Sequence, residues 1–268
     1  DDLLAIDKAS EQNMLDIQLD DRAVFLERWQ QLLLDTLTPE ALADHPERAD
    51  MRQQVEGWGG KASVDSVGFR LVRAFRHKVS KEVLDGVARP CKFADTRFNL
   101  SGIDMSEGPV WSLVSSRPEH LLDPKYETWD ELLLASADGV LADLLLEGGN
   151  LADKTWGQAS TARIEHPLFS KASPRMSRWF HLNMPSDQLA GDSENMPRIQ
   201  RPSGGASQRM AVSPGREAEG IFHMPGGQSG HPLSPHYGDG HAAWVEGKPT
   251  PFLPGETKHT LTLQPAKS

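Results

Sequence analysis

The chain has 268 residues, a formal net charge of −10 and 38% hydrophobic residues. These values are typical of globular domains and allow a large core, so disorder is excluded for most of the chain. No apolar run approaches the roughly 18 to 20 residues of a membrane span, so we expect no membrane partner. No basic cluster with interleaved aromatic residues is present, so we expect no nucleic acid partner. The single cysteine, Cys91, excludes an internal disulfide scaffold.

The chain begins Asp1-Asp2-Leu3-Leu4, without an initiator Met or the basic and apolar regions of a signal peptide. We therefore expect a processed chain or a fragment.

The two parts of the chain differ in charge and in their content of Pro and Gly. Residues 1–150 carry 28 acidic and 16 basic side chains, with 6 Pro and 10 Gly. Residues 151–268 carry 10 acidic and 12 basic side chains, with 13 Pro and 13 Gly. Frequent Pro and Gly shorten elements, so we predict a mainly helical segment (1–150) and a strand- and loop-rich segment (151–268) within one structural unit of the α+β class.

Apolar residues at helical spacing predict four helices in the first segment. They run from Glu11 to Thr36, from Pro39 to Val55, from a cap within Ser63–Ser66 to Gly86, and from Thr128 to Gly148. The third helix has an apolar face formed by Val72, Phe75, Val79 and Val83. The fourth begins at a capping box of Thr128 and Glu131.

Short runs bounded by Gly and Pro predict strands in the second segment. These runs are 208–212, 220–224 and 259–263, and Thr and Leu alternate in the last of them. Residues 185–205 are rich in Ser, Asp, Asn, Pro and Gly, which predicts a long surface loop.

Three histidines near the end of the chain form a candidate metal site. His231, His236 and His241 are spaced by five residues, and Asp239 lies between the last two. A spacing of five suits neither one helix face nor one strand face, so no regular element aligns these side chains. The pattern leaves two interpretations open: a zinc site, or loop histidines bonded to the backbone.

The candidate nucleophiles lack the sequence setting that catalysis requires. Ser229 lies in Gly227-Gln228-Ser229-Gly230, which differs from the Gly-x-Ser-x-Gly elbow and predicts a turn serine. The glycines at 226, 227 and 230 are not followed by a long helix, so they predict turns rather than a phosphate cradle.

Cys91 has only Arg89 and Lys92 nearby to activate its thiol, which favours a structural cysteine. The carboxylate pairs 20–21 and 130–131 fall on predicted helix surfaces or caps rather than in a glycosidase-like arrangement. The residues by themselves therefore contain no catalytic constellation.

Several strings, read in chain order, carry a family resemblance. They are Asp16–Asp20, Trp58-Gly59-Gly60, Asp65-Ser66, Thr155-Trp156-Gly157, Arg163–Leu168, Gly191–Pro197, Gly205–Met210 and Pro225–Tyr237, followed by Asp239 and Trp244. Their order resembles the C-terminal part of the β-chain of penicillin acylases and acyl-homoserine lactone acylases. The string Gly-Gln-Ser-Gly-x-Pro-x-Ser-x-x-Tyr is the most specific element, and the resemblance covers almost the whole chain.

This resemblance implies an N-terminal-nucleophile hydrolase, with a four-layer αββα fold made from an α-chain and a β-chain. It implies amide hydrolysis through an acyl-enzyme, in which the first β-chain residue, usually Ser, attacks and its own α-amino group accepts the proton. Asp1 has no hydroxyl or thiol. The family's nucleophile, oxyanion Asn, nearby Arg and calcium ligands precede the Asp16–Asp20 string, so no catalytic, cofactor-binding or metal-binding residue is assigned here.

The leading hypothesis is a β-chain part that supports hydrolysis of an N-acyl amide only together with the remaining acylase polypeptide. The substrate would be a β-lactam side-chain amide or an acyl-homoserine lactone. One alternative is a non-catalytic binding or structural remnant, and another is a zinc hydrolase using the three histidines and Asp239. The resemblance also implies a periplasmic location.

Overall fold

A computed structural model describes residues 2–98, 100, 105–166, 175, 179 and 182–265, so Asp1, Pro167 and Leu168 lie outside the described residues. The first half is mostly helical and a few short strands follow, which makes the fold α+β with little sheet. Chain contacts divide it into a helical unit (Asp21–Thr161 with Gln188–Met196) and a strand unit (Asp1–Asp20, Ala162–Asp187 and Pro197–Ser268). Among the described helices, none is both long and apolar enough for a membrane span.

The α-helices are short apart from two. In chain order they are α1 Glu11–Gln18, α2 Glu27–Thr36, α3 Pro39–Leu42, α4 Pro46–Glu56, α5 Val67–Val87, α6 Arg89–Ala94, α7 Glu107–Ser116, α8 Trp129–Leu146, α9 Trp156–Ala159 and α10 His241–Glu246. Single 3₁₀ turns cover Asp2–Ala5, Val24–Leu26, Glu119–Leu121, Leu151–Asp153 and Glu217–Glu219. All elements from α2 to α9 belong to the helical unit, whereas α1 and α10 belong to the strand unit.

The strands form two small antiparallel pairs in the strand unit. Strand β1 (Gln200–Arg201) pairs with β2 (Gly204–Gly205), and β3 (Arg209–Ala211) pairs with β4 (Ile221–His223). In the second pair, Arg209 lies opposite His223 and Ala211 lies opposite Ile221. The predicted strands at 208–212 and 220–224 are confirmed.

The predicted apolar face of α5 lies in the core of the helical unit. The predicted α5 face, from Val72 to Val83, is buried, and Phe75 contacts Trp29 of α2 edge to face with ring centroids 6.4 Å apart. The predicted start signals are also confirmed, because Ser66 Oγ accepts from the Phe69 N–H at 3.0 Å and Thr128 Oγ1 accepts from the Glu131 N–H at 3.1 Å.

The helix predicted over 11–36 is wrong in its middle, where the chain leaves helical geometry between α1 and α2. The Asp21 carbonyl accepts from the Ala62 N–H at 2.9 Å, and the Ala23 N–H donates to the Gly60 carbonyl at 2.8 Å. These bonds to a distant segment occupy groups that a continuous helix would bond internally. Leu15 and Leu26, which the pattern placed on one helix face, are both buried, although they lie on opposite sides of the break.

The helix predicted over 39–55 is also interrupted. It ends after Leu42, Asp44 takes a left-handed conformation with φ of 62°, and Pro46 begins α4 as its first residue. A proline ring clashes with the preceding turn and lacks an N–H, so Pro46 suits a helix start and not a helix interior.

Two further expectations for the second segment are corrected. The predicted loop 185–205 contains the β1–β2 pair, because the Gly204-Gly205 backbone takes positive φ angles and turns back on Gln200-Arg201. The strand predicted over 259–263 is absent, and these residues are exposed without secondary structure. A strand needs a hydrogen-bonded neighbour, which the described residues do not supply here.

Long polar side chains close the C-terminal end of α10 in the strand unit. Arg209 donates to the Trp244 carbonyl at 2.9 Å, Gln200 donates to the same oxygen at 3.2 Å, and Arg198 donates to the Val245 carbonyl at 2.8 Å. These carbonyls lack partners within the helix, and positive charge is favourable at a helix C-terminus. Burial, with the neighbouring Arg198 charge, lowers the pKa of Arg209 to about 10.

A largely buried carboxylate links three elements of the helical unit. Glu107 at the start of α7 accepts from Arg28 at 2.7 Å, from the Trp29 indole at 2.8 Å and from Arg76 of α5 at 2.8 Å. Its side chain is 20% exposed. Burial alone would raise the pKa of Glu107, but the hydrogen bonds from Arg76 and Trp29 and the charge of Arg76 outweigh burial and hold it below its ordinary value of 4.5.

Gly68 tests the packing at the start of α5. A Cβ at this position would lie 2.5 Å from the Trp58 Cβ and 2.7 Å from the Gln54 carbonyl oxygen. We expect Gly68→Ala to lower the free energy of unfolding by about 1 to 3 kcal/mol in urea titrations followed by circular dichroism. Gly59→Ala is the control, because a Cβ there has no neighbour within 4 Å. Equal losses in the two variants would contradict this packing.

Glu107→Gln tests the carboxylate. We expect a loss of about 3 kcal/mol at neutral pH, because two arginines lose a charged partner. Since the folded-state pKa of Glu107 is depressed, its contribution is complete above pH 4.5 and is lost as pH falls below 4.5 through the folded-state value. The difference between wild type and variant in urea titrations should therefore shrink below pH 4.5. A difference independent of pH would show that the carboxylate charge does not stabilise the fold.

Candidate functional site

Residues 225–241, which contain the most specific string of the sequence (227–237), fold as a loop in which two backbone segments cross closely. The Gly227 N–H donates to the Tyr237 carbonyl at 2.8 Å, and the Ser229 N–H donates to the His236 carbonyl at 3.0 Å. A Cβ on Gly227 would lie 1.9 Å from the His236 carbonyl oxygen, and a Cβ on Gly240 would lie 2.4 Å from the Gly226 carbonyl oxygen. We call this arrangement the glycine clasp, and its geometry requires glycine at both positions.

Side chains inside the clasp support its turns. Ser229 Oγ accepts from the His231 N–H at 3.1 Å, His231 Nδ1 accepts from the Leu233 N–H at 3.2 Å, and Ser234 Oγ accepts from the His236 N–H at 3.1 Å. The predicted turn serine is therefore found at Ser229. Its hydroxyl is engaged by the backbone rather than by a general base.

The candidate metal residues point to different partners. His236 Nδ1 lies 2.8 Å from an Asp239 carboxylate oxygen on the surface. His241 is buried, with Nδ1 donating to the Pro225 carbonyl at 2.7 Å and Nε2 3.3 Å from an Asp187 carboxylate oxygen. The part of the chain that the structure describes holds no group of three or more His, Cys, Asp or Glu side chains arranged for a metal ion. The structure does not bring the candidate zinc set together.

A small cavity of about 230 Å³ lies beside the clasp. Its lining combines apolar, amide and carboxylate groups and consists of Phe222, Met224, Gly226, Gly227, Gln228, Asp239, Gly240, Thr250 and Pro251. The single charged group, Asp239, already faces His236. The cavity holds no pair of groups placed for nucleophilic or general acid–base catalysis.

Tyr237 ties the clasp to a neighbouring segment of the strand unit. Its hydroxyl donates to the Leu182 carbonyl at 2.6 Å, and burial raises the pKa of Tyr237. The phenol is therefore a neutral hydrogen-bond donor at physiological pH and serves a structural function.

A larger cleft of about 490 Å³ lies at the start of α5 in the helical unit. It is lined mainly by polar groups and glycines: Gln53, Gln54, Gly57, Trp58, Gly59, Ser63, Asp65, Ser66, Val67, Gly68 and Ala152. Ser66 is engaged as the helix cap, and the Trp58 indole donates to the Lys61 carbonyl at 2.9 Å. The strings Trp58-Gly59-Gly60 and Asp65-Ser66, which carry part of the family resemblance, thus contribute to the lining of this cleft at the start of α5.

An ion-pair network at 191–194 was not predicted from the sequence. Arg73 of α5 pairs with Asp192 at 2.6 Å, and Arg76 pairs with Glu194 at 2.9 Å. Burial alone would raise the pKa of Glu194, but the hydrogen bond from Arg76 and the nearby positive charges outweigh burial and hold this pKa below its ordinary value. Two arginines three residues apart beside an apolar helix face were the available signal, but their partners lie more than 100 residues away in sequence.

The remaining candidates have structural surroundings. Cys91 is exposed on α6, and its basic neighbours Arg89 and Lys92 pair with Asp123 and Asp85. In the pair at 130–131, one carboxylate pairs with Arg117 at 2.7 Å and the other accepts from the Glu127 N–H at 2.6 Å. None of these groups forms a catalytic pair within the described residues.

The comparisons with known proteins agree with the motif order. A family model described as Penicillin amidase matches residues 1–259. The chain is also similar to the Penicillin acylase 2 proenzyme of Pseudomonas sp. (strain SE83), with 27% identity over 220 residues that cover 76% of this chain. The chain spans about a quarter of the length of that relative, 26%. Because the family model matches nearly the whole chain, this protein belongs to the penicillin amidase family.

Proposed function

We propose that this chain is the C-terminal part of the β-chain of a penicillin-acylase-like amidohydrolase. Its short strands and helical unit would complete a four-layer αββα fold together with the remaining acylase polypeptide, which is its partner. Family membership supports this proposal, as does the proenzyme relative, of which the chain spans only about a quarter. The αββα layering rests on the resemblance of the motifs.

The proposed reaction is hydrolysis of the N-acyl amide of a small acylated substrate, either a β-lactam side-chain amide or an acyl-homoserine lactone. An N-terminal nucleophile outside this chain attacks the amide carbonyl while its own α-amine accepts the proton. The amine then leaves, and water hydrolyses the acyl-enzyme. The contribution of this chain is to hold the surrounding fold. On family grounds, calcium ligands belong upstream and the location is periplasmic.

One observation supports the proposal that this chain holds the fold while the remaining polypeptide supplies the nucleophile. Four side chains singled out as candidate catalytic or metal-binding groups already have structural partners. They support turns or bond to a backbone carbonyl or a carboxylate, and they are Ser229, His231, His236 and His241. A catalytic nucleophile needs a base within hydrogen-bond reach and donors for the oxyanion. These commitments support the proposal that the nucleophile lies in the remaining acylase polypeptide.

The complete protein and the isolated chain should differ in activity. We expect the complete, assembled protein to hydrolyse an N-acyl amide and the isolated 268-residue chain to show no rate above the uncatalysed reaction. The measurement is release of the free amine from β-lactam side-chain amides and acyl-homoserine lactones. In the complete protein, Ser229→Ala and Cys91→Ala should leave kcat/KM within about threefold of wild type, because neither group is placed in the reaction.

Hydrolysis by the isolated chain would contradict the proposal. Loss of kcat in Ser229→Ala, with unchanged stability, would contradict the structural function of the clasp serine. A complete protein that binds acylated ligands without hydrolysis, and that has no Ser, Thr or Cys at a processing junction, would favour the non-catalytic remnant.

The clasp itself is tested by a matched pair of glycine variants. We expect Gly227→Ala in the complete protein to lower the thermal unfolding midpoint by several degrees, because its Cβ would collide with the His236 carbonyl oxygen. Gly230→Ala is the control, since a Cβ there meets nothing within 4 Å. Differential scanning calorimetry measures both. Equal midpoints for the two variants would show that the crossing is looser than described.

A further inference from the structure

The end of the strand unit contains a strand-like segment without a sheet. Residues 250–252 still run beside β4, because the Phe222 N–H donates to the Thr250 carbonyl at 3.0 Å and the Phe252 N–H donates to the Gly220 carbonyl at 2.9 Å. After Pro254 the chain leaves β4. From residue 256 to residue 265 every residue is exposed, and no backbone hydrogen bond joins this stretch to another residue that the structure describes.

The side chains of this segment have the pattern of a strand with one apolar face. In a β-strand, Leu261 and Leu263 would lie on one face and Thr260 and Thr262 on the other, because successive side chains alternate. The two leucines are 84% and 85% exposed. Thr and Leu in strict alternation fit a half-buried pleated surface, and a central strand buried on both faces would read as a continuous apolar run.

The ends of the segment are also defined. Pro254-Gly255 separates it from the stretch beside β4, and Pro265 removes a backbone donor at the other end. The residues between them leave room for one strand of average length. Lys258 adds a charge near its start, which is common on edge strands.

We propose that residues 258–263 form an edge strand that pairs with a β-sheet in the remaining acylase polypeptide. This inference rests on the proposed function, because it needs that polypeptide as the partner. The pairs β1–β2 and β3–β4 have only two or three residues per strand. About three quarters of the proenzyme relative lies outside the part that this chain matches, so the partner sheet is placed there.

The physical consequence is addition of one strand to an existing sheet. Backbone N–H and C=O groups of 258–263 would exchange their hydrogen bonds with water for a ladder, and the leucine face would be covered. The threonine face would stay partly exposed, which makes the two faces unequal in their response to substitution.

The test is hydrogen–deuterium exchange with mass spectrometry on the complete, assembled protein. We expect peptides covering 258–263 to exchange at least about 100-fold more slowly than an unstructured peptide of the same sequence. Leu261→Lys should increase exchange in this segment at least tenfold, whereas Thr260→Lys on the other face should change it less than threefold. Exchange at unstructured rates in the wild-type complete protein would overturn the inference.

Two other outcomes also decide it. Equal effects of the two lysine variants would overturn the one-faced pairing. Protection that rises with protein concentration would identify a second copy of this chain as the occupant and would also overturn the inference. Amide hydrolysis is measured separately on the same sample. An active protein with an unprotected segment would therefore refute the strand and leave the proposed function standing, whereas a protected segment in an inactive protein would do the reverse.

Discussion

The burial of one face of α5 holds the helical unit together. Helices α2, α4, α7 and α8 all contact it, and Phe75 on this face is fully buried. The edge of the same helix carries Arg73 and Arg76, which pair with Asp192 and Glu194 and so fasten the returning segment 188–196. Apolar burial supplies most of the stabilisation, while the ion pairs select which distant segment is held.

The strand unit depends on a different constraint, the close crossing of two backbone segments in the glycine clasp. Gly227 and Gly240 are required because any side chain would meet a carbonyl oxygen at less than contact distance. Ser229 and His231 complete the turns around the crossing. The most family-specific string of the chain is therefore explained by steric fit and backbone hydrogen bonding. In the string, His231 accepts from the Leu233 N–H, and His236 lies beside the Asp239 carboxylate.

Local signals predicted some elements well and others poorly, and the difference has a physical basis. The apolar face and cap of α5 are encoded within a few turns, as are the short runs that became β3 and β4. The break before α2 depends on hydrogen bonds between Asp21 or Ala23 and residues 60–62, which no local pattern contains. The alternating segment 259–263 has the side-chain pattern of a strand, but a strand also needs a partner edge.

The amino-acid sequence alone determined the family, through the order of its motifs. It also determined the long helices, because helical hydrogen bonds and apolar periodicity are local. Only the tertiary structure decided which side chains are partners. It joined Glu107 to Arg28 and Arg76 and turned His241 toward Pro225 and away from a metal set. Such partners are set by how distant segments pack, and packing is a property of the whole fold.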